Sequence, residues 1–152
     1  MKLIKTREEG LAENYLELHY DKLDDEARTV IARIDSSLAR VEGRCDDARV
    51  SVPVSDVLYI ESVDRKTFAY TSDMSIEMNR SLAAALDEFS QAGLIRISKS
   101  AVVNVYQIDR LQGDLNMRVI IFLKNGEKLI MNRGYRNEFF ARLEELKGGN
   151  RK

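Results

Sequence analysis

A mostly β chain with flanking helices, of the α+β class, is what this sequence predicts, and three observations carry the prediction. Short runs rich in β-branched residues recur from Val50 onward, the composition that suits a pleated, half-buried surface. Only one central stretch has the length and spacing of an ordinary helix, so the crossover helices of a parallel βαβ design are missing. Asn125-Gly126 stands between Val119-Ile120-Ile121-Phe122-Leu123 and Lys128-Leu129-Ile130-Met131, and Asn-Gly accepts the positive φ angles of a type I′ hairpin turn.

Asn14 to Tyr20 alternates with period two and suits a strand, with Lys2 to Thr6 as its partner. Asp24 is placed to cap a helix running to Glu42, with Asp25 and Glu26 at the positive end of its dipole. Val30, Ile31, Ile34, Leu38 and Val41 recur every three or four residues and draw one apolar face. Gly43 to Asp47 reads as the helix stop and a linker. Strands are then predicted over 50–54 and 57–63, separated by Pro53 to Asp56, and over 67–71 beyond the cationic connection Arg65-Lys66. A short strand near 75–79 precedes a helix over 82–91, whose Leu82, Ala85, Leu86 and Phe89 share a face and which stops at Gly93. Strand resumes over 94–97 and breaks at Ser98-Lys99-Ser100. Further strands are expected over 108–111, 118–123 and 128–131, and a closing helix over 135–146 carries Phe139, Phe140, Leu143 and Leu146 on one face.

These elements divide the chain into a small strand–helix module over 1–48, a β domain over 49–147 and a frayed tail over 148–152. The front module is too small to fold confidently alone. It docks on the β domain or pairs with a second copy, and the reading leans toward dimerisation.

Composition bounds the function. The hydrophobic share of 44% builds a core, yet the longest apolar runs fall far short of the roughly 20 residues of a membrane span. The polar, charged start does not resemble a signal peptide. One cysteine, Cys45, makes no internal disulfide, which agrees with a reducing cytoplasm; it reads as an inert linker residue more readily than as a redox switch. The single histidine, His19, has no cysteine at ligand spacing, so neither a zinc site nor a Ser-His-Asp triad can be assembled. Isolated glycines make no phosphate-binding loop. No enzyme, metal or cofactor is expected.

The net charge of −1 argues against nucleic acid only on average. Residues 1–48 hold 8 cations against 12 acids, residues 49–152 hold 16 against 13, and residues 95–136 hold 8 against 3. Concentrated charge matters more to phosphate contact than the sum. Taken alone, the patch reads as a solvated sheet edge. Two segments sharpen it, because each is apolar up to an abrupt cationic tip: Ile95 to Asn104 around Lys99, and Lys128 to Tyr135 around Arg133. A serine–lysine nucleophile at Ser98-Lys99-Ser100 is disfavoured, since adjacent loop residues rarely align for proton transfer.

Val57-Leu58-Tyr59-Ile60-Glu61, the 95–104 segment, Asn125-Gly126 and Asn132-Arg133-Gly134-Tyr135 occur in the order and wording of the LytTR family of bacterial DNA-binding domains. The resemblance covers roughly residues 49 to 147. It implies an elongated arrangement of small antiparallel sheets whose loops enter the major groove of duplex DNA, in a cytoplasmic bacterial transcription regulator. Lys99 and Arg133 match contacting positions, and either side chain can donate to guanine O6 and N7. Arg65 and Lys66 occupy a third loop that approaches DNA in this family. Ser98 caps the turn or donates to phosphate, and Arg136 reaches the phosphate backbone from the final helix. Asn132, also a candidate DNA contact, stands where the family commonly has serine, and Asn104 reads as structural. Residues 1–48 are too short for a receiver domain. The expected partners are duplex DNA with repeated half-sites, a second copy in a homodimer, and an inhibitory membrane protein. The rival reading is a protein-interaction module whose basic patch binds an acidic partner.

Overall fold

The structure, a computed structural model, describes residues 1–146; the expected tail over 148–152 lies outside the described residues. The first helix, α1 (Asp25–Leu38), starts where the Asp24 carboxylate accepts the Ala27 N–H at 2.9 Å, satisfying a donor that the first turn leaves free. It ends at Leu38 rather than at Glu42. The next residues form a hairpin of β1 (Arg40–Cys45) and β2 (Ala48–Pro53), paired from Arg40↔Pro53 to Cys45↔Ala48. Gly43 to Asp47 is therefore strand and turn, not a linker, and the hairpin spans the position where the sequence suggests a second domain begins. Val41 continues the helical spacing of Ile34 and Leu38, but it is a fully buried strand residue, while Leu38 is 65% exposed. Sheet pairing overrides the helical pattern.

The chain then forms β3 (Tyr59–Val63), β4 (Lys66–Tyr70), β5 (Ser75–Met78), α2 (Leu82–Phe89), β6 (Leu94–Ser98) and β7 (Ala101–Asn104). With the first hairpin these strands make a seven-stranded sheet in the order β2-β1-β5-β4-β3-β7-β6. A second sheet, β10-β9-β8, follows from β8 (Ile108–Gly113), β9 (Val119–Leu123) and β10 (Lys128–Met131), and α3 (Arg136–Leu146) closes the described chain. Every strand pairing among the described residues is antiparallel. The mostly β, α+β class holds.

Two further expectations are corrected. Residues 14–20 form no strand; Leu16 and Tyr20 are exposed, and an alternating pattern cannot make a ladder without a neighbour. Residues 1–48 therefore contribute a helix and the first strand of a β hairpin rather than the expected strand and helix. At Asn125-Gly126 only Gly126 takes a positive φ, 93°, and its N–H donates to the Leu123 carbonyl at 3.0 Å. That is a longer hairpin loop with glycine at the left-handed position, not a type I′ turn.

The large sheet separates two cores because its strands alternate. Ile60, Ala69, Ile76, Leu94 and Val102 face Leu82, Ala85 and Phe89 of α2. Leu58, Ile95, Ile97 and Val103 face the second sheet through Ile121, Leu123 and Met131, with Phe139 of α3. Strands buried on both faces read as continuous apolar runs, as β6 and β7 do. Tyr59 clips the layers together by donating to Glu127 Oε2 at 3.1 Å. Burial first, and the Glu127 charge second, push its hydroxyl pKa up and keep it a donor.

Gly43 lies where β1 crosses β5. A Cβ there would run into the Glu77 carbonyl and meet Ile76 Cγ2 at 2.7 Å. Gly43→Ala is expected to cost on the order of 1–3 kcal/mol, the usual range for overpacking. A lower urea midpoint at unchanged slope is the readout; an unchanged midpoint would mean that the strands part freely here.

Candidate nucleic-acid interface

Three turns far apart in sequence meet at one end of the large sheet. The first joins β3 to β4 through Asp64-Arg65, closed by the pair Val63↔Lys66. Both central residues take positive φ, 50° and 66°, as a type I′ turn requires. The second joins β6 to β7 through Lys99 and Ser100, closed by Ser98↔Ala101 after a register shift between Arg96 and Ser98. The third follows β10, where Asn132 leads into a short helical turn over Arg133–Tyr135.

Backbone hydrogen bonds fix the turns side by side. The Ser62 N–H donates to the Ser100 carbonyl at 2.8 Å, tying the first turn to the second. The Asn132 N–H donates to the Ile97 carbonyl at 2.9 Å, tying the third to the second. Segments 63–66, 96–101 and 132–136 carry six Lys and Arg residues against one acid, Asp64. This end is basic in a chain whose net charge is −1.

Arg65, Lys66, Lys99 and Arg133 are all exposed, and among the described residues none of the four makes an ion pair with a carboxylate. Ser98 is half-buried, and its Oγ accepts the Ser100 N–H at 3.2 Å, so it acts first as the cap of its own turn. Asn132 Oδ1 accepts the Gly134 N–H at 2.9 Å, so the asparagine found where serine is common still caps the turn carrying Arg133. Arg136 is half-buried and leans toward the β8–β9 connection, with Nη1 at 3.5 Å from the Met117 carbonyl and its guanidinium 5.9 Å from the Phe140 ring. Asn104, fully buried, lies outside this surface.

Sequence reasoning missed Arg96. Its Nη1 donates to the Lys99 carbonyl at 2.7 Å and lies 3.4 Å from the Ser98 carbonyl, bracing the tip from which Lys99 projects. The available signal was a lone cation inside the apolar strand Leu94-Ile95-Arg96-Ile97.

Arg65 holds a left-handed backbone that favours glycine. Arg65→Gly is therefore expected to raise stability by about 0.5–1 kcal/mol, against the ordinary cost of glycine, because Asp-Gly suits this turn. A strained residue kept at an exposed tip points to a use for its side chain. A thermal melt checks the sign; a lower Tm would show that the arginine stabilises the fold through its side chain.

The structure thus defines a class of antiparallel β domain that presents cationic turns, rather than a helix, at a common end. The helices do not form a helix-turn-helix, since α1 and α2 are separated by five strands. The family model described as the LytTr DNA-binding domain matches residues 47–144. The chain belongs to the LytTR family of DNA-binding domains.

A solved LytTr DNA-binding domain from a Bacillus cereus methyl-accepting/DNA response regulator superposes with a TM-score of 0.66 at 26% identity, covering 69% of this chain and 96% of that one. Relatives from Staphylococcus aureus, described as HTH-type transcriptional regulators, match over 134 residues. Those of strains NCTC 8325 / PS 47 and MRSA252 are each 28% identical, over 86% of this chain and 90% of theirs. Among the described residues, no helix is long and apolar enough to cross a membrane.

Proposed function

We propose that this protein is a cytoplasmic transcription regulator that reads duplex DNA by inserting the Lys99 and Arg133 turns into the major groove. The observation that carries the reading is the pair of backbone hydrogen bonds that hold three cationic turns as one rigid edge. Lys99 and Arg133 contact base edges or phosphate. Arg133, with a planar fork, suits the two acceptors of guanine, a geometry lysine cannot copy. Arg65 and Lys66 extend the contact along the backbone, while Ser98, Asn132 and Arg136 support the turns and add phosphate contacts. Residues 1–48 serve dimerisation, so that two copies occupy repeated half-sites and multiply modest single-domain affinity. An inhibitory membrane protein restrains the regulator.

The test compares the purified protein on a duplex from its own promoter region and on scrambled DNA at fixed salt, alongside Lys99→Ala and Arg133→Ala. Loss of discrimination in folded variants supports the reading. Equal binding to both duplexes by wild type and variants alike would favour a module whose basic end binds an acidic protein.

A further inference from the structure

We infer that the N-terminal arm, residues 1–22, docks reciprocally on a second copy of this chain, in the apolar groove between α1 and α3. The inference rests on the dimer reading above and supplies its contact.

The arm has the marks of a segment without its partner. Among the described residues no backbone–backbone hydrogen bond joins residues 1–21 to another element, and Met1, Leu3, Ile4, Leu11, Tyr15, Leu16 and Tyr20 are all exposed, Ile4 by 73% and Leu16 by 68%. Unpaired backbone beside contiguous exposed apolar side chains is what a pairing or docking segment presents. Among the described residues, the arm's first residue is tied through its amino group to Glu26 at 3.1 Å.

Among the described residues the receiving surface is equally unfinished. A cavity of about 550 Å³ between α1 and α3 has an apolar floor of Leu23, Ile31, Ala32 and Leu146 within a charged rim of both signs, from Arg28 and Arg142 to Asp35, Glu144 and Glu145. In α1 the small residues Ala27, Ala32 and Ser36 are buried, whereas Val30, Ile31 and Ile34 are half-buried and Leu38 is exposed. The helix thus turns its small side chains inward and leaves its larger ones to something else.

A second copy fits better than the other occupants. The arm is rooted at Leu23 on the lip of its own groove, yet no residue before Leu23 lines it. Two such units related by a two-fold axis bring each arm to the other's groove and close the assembly, as an isologous contact must. Twenty-two arm residues per copy, together with the groove, meet the roughly 20–30 residues a side of a stable interface. Residues 1–22 carry four cations and five acids, so anionic lipid has no purchase on them. The groove takes the C-terminal half of α3, whose N-terminus follows the Arg133 turn; an 11-residue helix is about 16 Å long. Arm exchange therefore leaves the cationic turns free for DNA.

The experiment uses the full chain. Wild type, Leu16→Asp and Ile31→Asp are compared by sedimentation equilibrium. In parallel, Leu16→Cys and Ile31→Cys chains, each with Cys45→Ser, are mixed and oxidised. Wild type is expected to be a dimer, each aspartate variant to dissociate at least tenfold more readily, and the mixture to yield a disulfide-linked heterodimer. A monomeric wild type overturns the exchange, as does a dimer that both variants leave intact or a mixture that gives no linked heterodimer.

Discrimination between promoter and scrambled duplex, read on the same samples at raised protein concentration, separates the two readings. If it survives in the monomeric variants, both stand. If it is missing in wild type as well, the DNA reading falls while the association result remains readable. If wild type is a dimer indifferent to both substitutions, dimerisation stands without the arm.

Discussion

Asn104→Ala is expected to lower the unfolding free energy by about 3–5 kcal/mol, a large share of the 5–15 kcal/mol that holds an ordinary domain together. The side chain is fully buried, and it makes three hydrogen bonds, all inside the protein. Nδ2 donates to the Val54 carbonyl at 3.1 Å and to the Val57 carbonyl at 2.8 Å. Oδ1 accepts the Tyr106 N–H at 3.0 Å. One amide thereby joins the turn before β3 to the end of β7, the two strands whose far ends carry the Arg65 and Lys99 turns. Alanine leaves the Val57 carbonyl and the Tyr106 N–H without this partner, while the Val54 carbonyl keeps the Val57 N–H at 2.9 Å; each orphan costs about 1–3 kcal/mol.

At roughly 2–4 °C per kcal/mol, the melting temperature should fall by about 10 °C. Asn104→Asp sharpens the test, because it keeps the shape and replaces two N–H donors with an oxygen facing two carbonyl oxygens. Its carboxyl favours the protonated form in the fold, so its folded pKa lies above the unfolded one. The folded state then binds more protons, and stability falls as pH rises through that window. Asn104→Asp should be least damaged in acid and most damaged above neutrality. A drop in Tm within a degree or two for Asn104→Ala would show that water replaces the amide and that the residue does not fix the strands.

Arg133→Ala and Lys99→Ala should each weaken binding to the preferred duplex by about 1–3 kcal/mol, roughly 5- to 150-fold in Kd, if they touch bases. Binding to scrambled DNA should change far less. Contact with phosphate alone predicts a different pattern: uniform weakening on both duplexes and a salt slope reduced by about one. Arg133→Lys distinguishes further, since it keeps the charge and loses the bidentate fork. Discrimination lost in Arg133→Lys but affinity for scrambled DNA retained would assign Arg133 to a base edge. Both variants should melt as wild type does, because neither side chain is buried or ion-paired among the described residues. Unchanged discrimination in both would remove the two turns from recognition.

From Val50 onward the sequence is a good guide because its signals are local. β-branched runs and Gly93, whose positive φ of 104° ends the helical stretch after α2, act within a few residues. The front segment misleads for the same reason. Val41 fits the helical spacing of Ile34 and Leu38, and nothing near it reveals that Val52 lies opposite it in a hairpin. Leu16 to Tyr20 alternates as a strand should, yet no neighbouring strand is provided. The type I′ turn was expected at Asn125-Gly126, while positive φ at both central residues occurs at Asp64-Arg65, where the tight register of β3 and β4 forces it against local preference.

By itself the sequence determined most of the β segments from Val50 onward, where the cations sit at the tips of apolar runs, and the family wording that links them. Only the tertiary structure decided that Arg65, Lys99 and Arg133 share one edge, that Arg96 braces it, and that Asn104 is spent wholly inside the fold. Propensity and turn chemistry are settled over a few neighbouring residues, whereas backbone N–H and C=O groups find their partners across the whole chain. The Ser62–Ser100 and Asn132–Ile97 hydrogen bonds that assemble the basic edge join residues more than thirty positions apart, beyond the reach of any local pattern.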